Sequence, residues 1–458
     1  MKLVYDVADK PPIKKNLIYA FQQLLAIMAA TLLVPILVNS SSGTTYMSQS
    51  AALFGAGAGT VFYLFMTSKK SPVFLGSSFA FISPLVSATV FGYLGIFLGA
   101  VFAGLVYVII ALIIKKTGSA WVNKLLPPVV IGPTVALIGL SLCGSAIKNL
   151  TNTAADFQYV NELGQIATQS NYSLVHILIG VLAFGITVWA SVKGSKRIKM
   201  VPFIIGILSA YVIALILTLI GNVTGYEAIK IINLSAFDNM VLFRLPQFTF
   251  VGMFEEGKAK MADFGSVINI FVLFAPVAFV VLAEHIADHK NLGSIINRDL
   301  ITDPGLDKTL LGDGIGSIIG SFFGGCPNTT YGESVGCVAI TGNASVSTIF
   351  IAALYCMVLS FFDPFVAFVN SIPSCIVGGV CIALYGFIAV SGLKMLQPVD
   401  LGENRNLFVV AAILVCGIGG LTLKLGAIEI SSIACALILG VLVNVIFNKP
   451  EKNPEKAE

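Results

Sequence analysis

The sequence predicts an all-α polytopic membrane protein. We expect fourteen transmembrane segments in a seven-plus-seven inverted repeat, with short antiparallel β-strands in segments 3 and 10. Of the 458 residues, 57% are apolar and only 11% are charged, against roughly a quarter in a soluble domain. The apolar residues form runs long enough to cross a bilayer, and similar polar motifs break two of these runs. This composition excludes a soluble enzyme, a disordered chain and a nucleic-acid binder.

The fourteen segments follow from the lengths of the apolar runs, because a helix needs about 20 apolar residues to cross the hydrocarbon core. Segments 3 (71–91) and 10 (326–342) begin with Ser, Thr, Gly and Pro, and segment 9 (306–325) is rich in glycine. The regular segments are 16–38, 48–67, 93–114, 127–147, 173–192, 201–221, 265–288, 345–362, 373–393, 406–422 and 428–447.

The Lys and Arg residues predict the orientation. An even number of crossings places both termini on one side, and all but six of the 27 basic residues fall on that side. Basic residues are retained on the cytoplasmic side, so both termini are predicted to be cytoplasmic. The six on the outer side are Lys148, Lys230, Arg244, Lys258, Lys260 and Lys424.

The spacing of the cysteines does not indicate a redox or metal site. The chain has eight, without a CxxC pair or a metal-ligand spacing, and each lies in or beside an apolar run. We expect free thiols that pack as small apolar side chains, and no metal site.

Two interrupted segments indicate a repeat. Residues 76–81 read Gly-Ser-Ser-Phe-Ala-Phe, and residues 328–333 read Asn-Thr-Thr-Tyr-Gly-Glu. Seven crossings separate the two motifs, and an odd offset inverts the second copy across the membrane. Backbone that is not helical at this depth needs partners, so the two motifs are predicted to pair antiparallel. The half-helix that follows each would point its positive N-terminal end at the same midplane site.

A few ionisable residues lie within the spans, where charge is costly. Glu284 and Asp288 are four residues apart in segment 8 and share one helix face, and Glu333 follows the break in segment 10. Carboxyl groups that converge in a dry pocket repel each other, so one can carry a proton together with a cargo. Glu284, Asp288 and Glu333 are therefore the candidates for proton coupling, with the proton as coupling ion and no cofactor. His285, Asp313 and Glu429 are interpreted as structural.

Four motifs carry a resemblance to a known family. Gly-Ser-Ser-Phe-Ala-Phe-Ile-Ser-Pro (76–84), Ala-Glu-His-Ile (283–286), Asp-Pro-Gly-Leu (303–306) and Pro-Asn-Thr-Thr-Tyr-Gly-Glu (327–333) resemble the bacterial uracil permeases. These belong to the nucleobase–ascorbate transporter family, also called nucleobase:cation symporter family 2. The resemblance implies a proton-coupled symporter in the bacterial inner membrane. It would import uracil or a related nucleobase as an elevator-type homodimer.

The resemblance also implies the domains and the site. Glu284 and Glu333 would bind the pyrimidine, the backbone amides of Phe79 and Gly332 would meet its carbonyl oxygens, and Phe79 and Tyr331 would border the ring. The remaining pocket-lining residues would be Ala30, Ser78 and Thr330. The implied divisions are an N-terminal tail (1–15), a core domain (16–116 and 264–365), a gate domain (117–222 and 366–448), an outer loop (223–263) and a C-terminal tail (449–458).

Three positions differ from the uracil permease pattern. Asp288 stands where those permeases carry His, as in purine-transporting relatives, Ser334 replaces an Asn, and Gln22-Gln23 replaces a Gln-His pair. A xanthine or purine permease of the same family therefore remains an alternative. An anion channel or facilitator of the same fold is a further one, although acidic residues at the half-helices argue against it. No nucleophile–base set points to an enzyme.

Overall fold

The protein is described here from a computed structural model, which describes residues 3–151, 156–160, 166–170, 173–256, 264–425 and 428–447. Within these ranges the chain forms eighteen α-helices and six short strands. The helices are α1 (Ile13–Ser42), α2 (Gln49–Met66), α3 (Ile82–Ala88), α4 (Gly92–Thr117), α5 (Ala120–Leu125), α6 (Pro128–Ser141), α7 (Cys143–Thr151), α8 (Leu174–Lys193), α9 (Pro202–Thr224), α10 (Thr249–Glu256), α11 (Phe264–Ile296), α12 (Leu306–Phe323), α13 (Gly332–Thr341), α14 (Val346–Leu359), α15 (Asp363–Asn370), α16 (Ser374–Lys394), α17 (Asn404–Ile418) and α18 (Ser432–Ile446). The strands are β1 (Leu75–Ser77), β2 (Asp156–Val160), β3 (Ile166–Ser170), β4 (Asn328–Thr330), β5 (Leu423–Leu425) and β6 (Ile428–Ile430).

The apolar helices confirm a multi-pass membrane protein. Among the described residues, eight helices are long and apolar enough to cross a membrane, and three apolar helices of 10–17 residues are shorter. Every predicted segment contains a helix, but α12 and α13 fall outside this set. The count of fourteen crossings therefore stays a prediction. The predicted tail 449–458 and residues 257–263 of the predicted outer loop lie outside the described residues.

The predicted strand pair is confirmed. β1 and β4 pair antiparallel, with Gly76 opposite Thr329 in the middle of the register. The pairing continues at both ends, because Ser78 N–H donates to Pro327 O (3.1 Å) and Tyr331 N–H donates to Phe74 O (3.2 Å). The strands begin one or more residues before the Ser-Ser-Phe and Thr-Thr-Tyr pieces that the sequence indicated. The chain turns into a single 3-10 turn at Phe79–Phe81 and into α13 at Gly332.

A side-chain hydroxyl satisfies the open edge of each strand. Leu75 N–H donates to Thr60 Oγ1 on α2 (3.0 Å), and the same oxygen lies 3.1 Å from Leu75 O. On the opposite edge, Asn328 N–H donates to Ser317 Oγ on α12 (2.9 Å), and Ser317 Oγ donates to Asn328 O (3.3 Å). Unpaired backbone groups are costly in a membrane interior. The two hydroxyls therefore close a sheet that has only two strands.

Glycines let α12 approach α2 and α4 at backbone distance. A Cβ on Gly55 would lie 2.3 Å from Gly320 O, and one on Gly104 would lie 2.5 Å from Gly314 O. Small residues are the usual means of close helix packing in membranes, because apolar side chains gain little by leaving lipid. Ser317 lies on α12 within this glycine seam and is buried together with Asn328 of β4.

The helices pack in two sets. In the first, α12 packs against α2 and α4, α14 packs against α2 and α1, and α11 packs against α4. In the second, α16 packs against α6, α7 and α8, α8 packs against α9, and α17 packs against α18 and α6. Contacts of α11 with α6 and α18 join the two sets.

Two further hairpins were not predicted. β2 pairs with β3, and β5 pairs with β6, both antiparallel. Residues 428–430 were predicted as the start of segment 14 but form β6. The helix begins only after them, because Ser431 caps α18 by accepting from Ala434 N–H (3.4 Å). Glu429 lies in β6, and its side chain lies outside the described part of the chain.

The edge-closing role of Ser317 gives a stability prediction. Replacing Ser317 by Ala leaves the Asn328 N–H and C=O without their partner, so we expect a loss of about 1–3 kcal/mol in unfolding free energy. Ser321→Ala is the matched control, because Ser321 lies one turn further on α12, is equally buried and its hydroxyl has no partner among the described residues. The thermal unfolding midpoint of both variants in detergent measures the difference, and equal midpoints would contradict the role of Ser317.

Candidate functional site

A small cavity lies where the two sets of helices meet at the strand pair. Its volume is about 80 Å³. One side is formed by α11, by the β1 end with the following 3-10 turn, and by β4 with the start of α13. The other side is formed by α6 and α16. The lining residues are Ser77, Phe79, Ala80, Val135, Ile138, Glu284, Ala287, Asp288, Thr329, Thr330, Tyr331, Gly332, Glu333, Phe387, Ile388, Ser391 and Met395.

Three carboxyl groups face this cavity, and no Lys or Arg is among its described lining residues. Glu284 has no hydrogen-bond or ion-pair partner among the described residues. Glu333 likewise has no side-chain partner among the described residues. Asp288 differs, because it accepts a hydrogen bond of 2.7 Å from Thr330 Oγ1. Thus two of the three carboxyl groups are free to meet a ligand, while the third is tied to β4.

The first residues of two helical elements, Phe79 and Gly332, line the same cavity. α13 begins at Gly332, and the 3-10 turn that leads into α3 begins at Phe79. The first N–H groups of a helix have no partner within it, and its N-terminal end carries partial positive charge. A Cβ on Gly332 would meet only Asp288 Oδ1, at 3.8 Å, so the backbone at this residue is open to the cavity. Donors of the helix ends and carboxylate acceptors therefore converge.

Two aromatic rings border the cavity in different ways. The Tyr331 ring lies against Gly76, where a Cβ would approach it to 2.3 Å. Its hydroxyl donates to Ser77 O (3.0 Å) and lies 3.2 Å from Thr31 Oγ1, which fixes the ring between α1 and β1. The Phe79 ring packs edge-on against Tyr385 of α16, with centroids 5.7 Å apart. Tyr331 is thus held by the first set of helices, whereas Phe79 contacts the second.

Most of the residues chosen from the sequence line this cavity, and two do not. Glu284, Asp288, Glu333, Phe79, Gly332, Tyr331 and Thr330 are among its walls. Ala30 and Ser78 are buried but do not line it. Ser77 lines it instead, since the chain turns at Ser78 into the 3-10 turn and the Ser78 backbone is engaged with Pro327.

Sequence reasoning missed the wall that α6 and α16 supply. Its members are apolar or small residues in ordinary apolar helices, so no local signal distinguished them: Val135, Ile138, Phe387, Ile388, Ser391 and Met395. Only the packing of α16 against α6 brings them to the cavity.

A buried polar network lies behind the cavity. His285 Nδ1 lies 2.8 Å from Asp313 Oδ2, and its Nε2 lies 3.1 Å from Thr309 Oγ1, which joins α11 to α12. His289 stacks on His285 with ring centroids 4.1 Å apart, and its Nε2 lies 2.7 Å from the Tyr63 hydroxyl of α2. The structural interpretation of His285 and Asp313 is confirmed, because both bind between helices and neither lines the cavity.

A second cavity, of about 350 Å³, lies on the other side of Phe79 and Ala80, which line both cavities. Eight hydroxyl side chains line the second cavity: Ser41, Ser83, Ser87, Ser141, Ser145, Thr422, Ser431 and Ser432. The 3-10 turn therefore contributes lining residues to both an acidic cavity and a hydroxyl-lined one.

The arrangement is suited to binding a planar, neutral, hydrogen-bonding molecule. The free carboxylates accept from N–H groups, and the helix ends donate to carbonyl oxygens. The buried hydroxyls of Ser77 and Thr329, which line the cavity, also have no partner among the described residues. The described part of the chain holds no group of three or more His, Cys, Asp or Glu residues arranged for a metal.

Comparisons with known proteins agree with the motifs. Residues 14–426 match the sequence profile of a family described as "Permease family". A uracil permease of Bacillus caldolyticus is 37% identical over 451 residues, covering 97% of this chain and 95% of that protein. A uracil permease of Escherichia coli strain K12 is 32% identical over 443 residues, covering 96% of this chain and 93% of that protein.

Solved structures share the fold at low sequence identity. The transmembrane domain of the cyanobacterial bicarbonate transporter BicA matches with a TM-score of 0.59 and 14% identity, covering 94% of this chain and 98% of that one. The murine anion transporter Slc26a9 matches with a TM-score of 0.61 and 10% identity, covering 96% of this chain and 68% of that one. The resemblance carried by the four motifs is confirmed at the level of sequence. The chain therefore belongs to this permease family, the nucleobase–ascorbate transporter family, and is a permease rather than an enzyme.

Proposed function

We propose that the protein imports uracil, with related nucleobases as secondary substrates, and that the cavity at the strand pair binds the base. The observation that carries the proposal is the pair of free carboxylates, Glu284 and Glu333, in a cavity that two helix N-termini also face. The names of the relatives, uracil permeases that are 32–37% identical over nearly the whole chain, support the same substrate.

The chemistry of the cavity complements a pyrimidine base. Uracil carries alternating ring N–H donors and carbonyl acceptors in one plane. Carboxylates at Glu284 and Glu333 accept from the N–H groups, and the backbone N–H groups at Phe79 and Gly332 donate to the carbonyl oxygens. Each charge-assisted hydrogen bond contributes about 1.5–3 kcal/mol, so a few of them suffice to select the base.

Proton coupling is the second part of the proposal. Three carboxyl groups in one small cavity without a basic residue repel each other as anions. Uptake of one proton by this carboxyl group cluster relieves the repulsion, and the carboxylates that stay ionised still accept from the ring N–H groups, so the base and the proton can be bound together. The proton is the coupling ion in this scheme, and no cofactor takes part.

The architecture supports an elevator-type cycle. The first set of helices corresponds to the predicted core domain and the second to the gate domain, and the cavity lies between them. The proposal includes fourteen crossings in a seven-plus-seven inverted repeat. Thr60 and Ser317, which close β1 and β4 from equivalent preceding helices, support the repeat. It further includes a homodimer in the bacterial inner membrane with both termini cytoplasmic.

Removal of either free carboxylate tests the binding site. We expect Glu284→Gln and Glu333→Gln each to lower uracil uptake at least about 30-fold, because one charge-assisted hydrogen bond and one proton site are lost. Uptake of labelled uracil into proteoliposomes under an imposed inward proton gradient is the measurement. Glu403→Gln, an exposed acid outside the cavity, is the matched control. Near-normal uptake by either cavity variant would contradict the site, and wild-type uptake driven by a sodium gradient instead would contradict proton coupling.

The open backbone at Gly332 gives an independent prediction. Gly332→Ala meets no protein atom closer than 3.8 Å, so the variant should fold, yet its methyl group would occupy substrate space. We expect KM for uracil to rise about 10-fold or more with an unchanged unfolding temperature, since a poorly fitted group costs at least about 1–3 kcal/mol. Gly336→Ala, one turn later on α13 with nothing within 4 Å, should leave KM unchanged. Equal KM values for the two variants would refute the assignment of Gly332.

Asp288 keeps a purine permease open as a second candidate, because purine-transporting relatives carry aspartate at this position. A competition panel separates the two. We expect unlabelled uracil, 5-fluorouracil and thymine to inhibit uptake of labelled uracil in this order, and xanthine to inhibit it at least about 10-fold less, since the relatives that match nearly the whole chain are uracil permeases. Strong inhibition by xanthine, with none by the uracil analogues, would assign the protein to purines. The acidic cavity disfavours an anion channel.

A further inference from the structure

A separate cavity of about 520 Å³ lies outside the transport site, at the face of the protein where α1 begins. This volume falls within the ~300–1,000 Å³ range of small-ligand sites. Its walls come from the N-terminal segment, the end of α2, the turn after α11 and the start of α14. The lining residues are Val7, Ala8, Asp9, Lys10, Leu64, Phe65, Ser68, Lys69, Lys70, Arg298, Val346, Ser347 and Phe350.

The N-terminal segment forms a fixed wall of this cavity. Val4 N–H donates to Gly342 O (2.8 Å), and Val346 N–H donates to Val7 O (3.1 Å), so residues 4–7 run beside the start of α14 in the manner of an added strand. Ser345 Oγ donates to Asp9 O (2.5 Å), which continues this attachment. The backbone that carries Lys10 is thereby held next to α14.

Four basic side chains surround the cavity. Lys10 and Lys69 have no acidic partner among the described residues. Lys70 pairs with Asp303 (2.7 Å), and Arg298 pairs with Asp6 (2.5 Å). The two bases and the two acids of these ion pairs are each at least two-fifths exposed, so each pair is weak and another anion can replace the aspartate. Asp9 is the one acid among the described lining residues, where it stands against four basic side chains, and its carboxylate accepts from Asp6 N–H (2.7 Å). The rim therefore attracts negative charge.

The interior of the cavity is apolar. Leu64 and Val346 are buried at its base, and the rings of Phe65 and Phe350 form its sides. Lys69 Nζ lies 5.5 Å from the centre of the Phe65 ring, within the range of a cation–π contact. Ser68 and Lys69 have positive φ angles of 52° and 58°, a backbone conformation that is unfavourable for residues other than glycine. This turn keeps Lys69 close to the apolar wall.

We propose that this cavity binds an anionic glycerophospholipid, with the phosphate among Lys10, Lys69, Lys70 and Arg298 and the upper acyl chain against Phe65 and Phe350. Basic pockets beside transmembrane helices are the usual form of such sites. A basic rim over an apolar interior fits an anionic head group and its chain, and fits neither a neutral lipid nor a free inorganic anion equally well. The lipid would fasten the N-terminal segment to α2 and α14. The site is independent of the transport cavity, which is acidic.

Binding of purified full-length protein to added phosphatidylglycerol and phosphatidylcholine, counted by native mass spectrometry, tests the proposal. We expect the wild type to bind phosphatidylglycerol at least about 10-fold more tightly than phosphatidylcholine. The double variant Lys10→Gln/Lys69→Gln should bind phosphatidylglycerol about 10-fold more weakly and phosphatidylcholine unchanged, because each lysine near a membrane surface contributes to anionic lipid attraction. Lys115→Gln/Lys116→Gln, in the last turn of α4, is the matched control and should remain within twofold of wild type.

The outcomes separate the lipid from other sources of phosphate. Glycerol 3-phosphate and inorganic phosphate should fail to displace phosphatidylglycerol at equal concentration, because neither reaches the apolar wall. Displacement by either would overturn the lipid assignment. Unchanged phosphatidylglycerol binding by Lys10→Gln/Lys69→Gln, or an equal loss in the α4 control, would overturn the site. Phe350→Ala should weaken binding of both lipids, and a variant that binds both as tightly as wild type would overturn the acyl-chain contact.

Discussion

The architecture depends on one constraint, namely that non-helical backbone inside a membrane must find hydrogen-bond partners. β1 and β4 satisfy it by pairing with each other, and Thr60 and Ser317 satisfy the two open edges. Because the strands are separated by some 250 residues of sequence, their pairing brings the two halves of the chain together at one point. The helix starts at Phe79 and Gly332 then face a common space as a direct consequence.

Two further kinds of contact hold the helices around this strand pair together. Glycines allow α12 to contact α2 and α4 at backbone distance, which places Ser317 against Asn328. The buried contacts of His285 with Asp313 and Thr309 join α11 to α12. Since α11 carries Glu284 one residue before His285, this network also fixes the helix face on which the carboxylate lies. Glu284 and His285 are thus neighbours in sequence with different surroundings: Glu284 lines the cavity, and His285 binds between helices.

The protein has one cavity lined by acidic residues and another lined by basic residues, and in each the charged side chains suit a different kind of ligand. At the strand pair, Glu284 and Glu333 lack basic partners, and this leaves their carboxylates available to a hydrogen-bonding ligand and to protons. At the start of α1, Lys10 and Lys69 lack acidic partners, and apolar rings lie directly below them. In both places, charged side chains without an oppositely charged partner line a cavity, so their charge remains available to a ligand.

The sequence by itself determined the membrane class, the apolar runs that contain the long helices, the pairing of the two broken segments and the family, since apolar run length, motif spacing and long local motifs are properties of short stretches of chain. It predicted Glu284, Asp288 and Glu333 as site residues because ionisable groups are rare within spans, and the family resemblance added Phe79 and Gly332; all five line the cavity. Only the tertiary structure decided that Ser77 lines the cavity and Ser78 does not, and that α6 and α16 supply the opposite wall. Val135 and Phe387 look like any lipid-facing or core residue in sequence, and what they contact depends on how helices far apart in the chain pack together. The same holds for the cavity at Lys10 and Lys69, because its walls come from four separate parts of the chain.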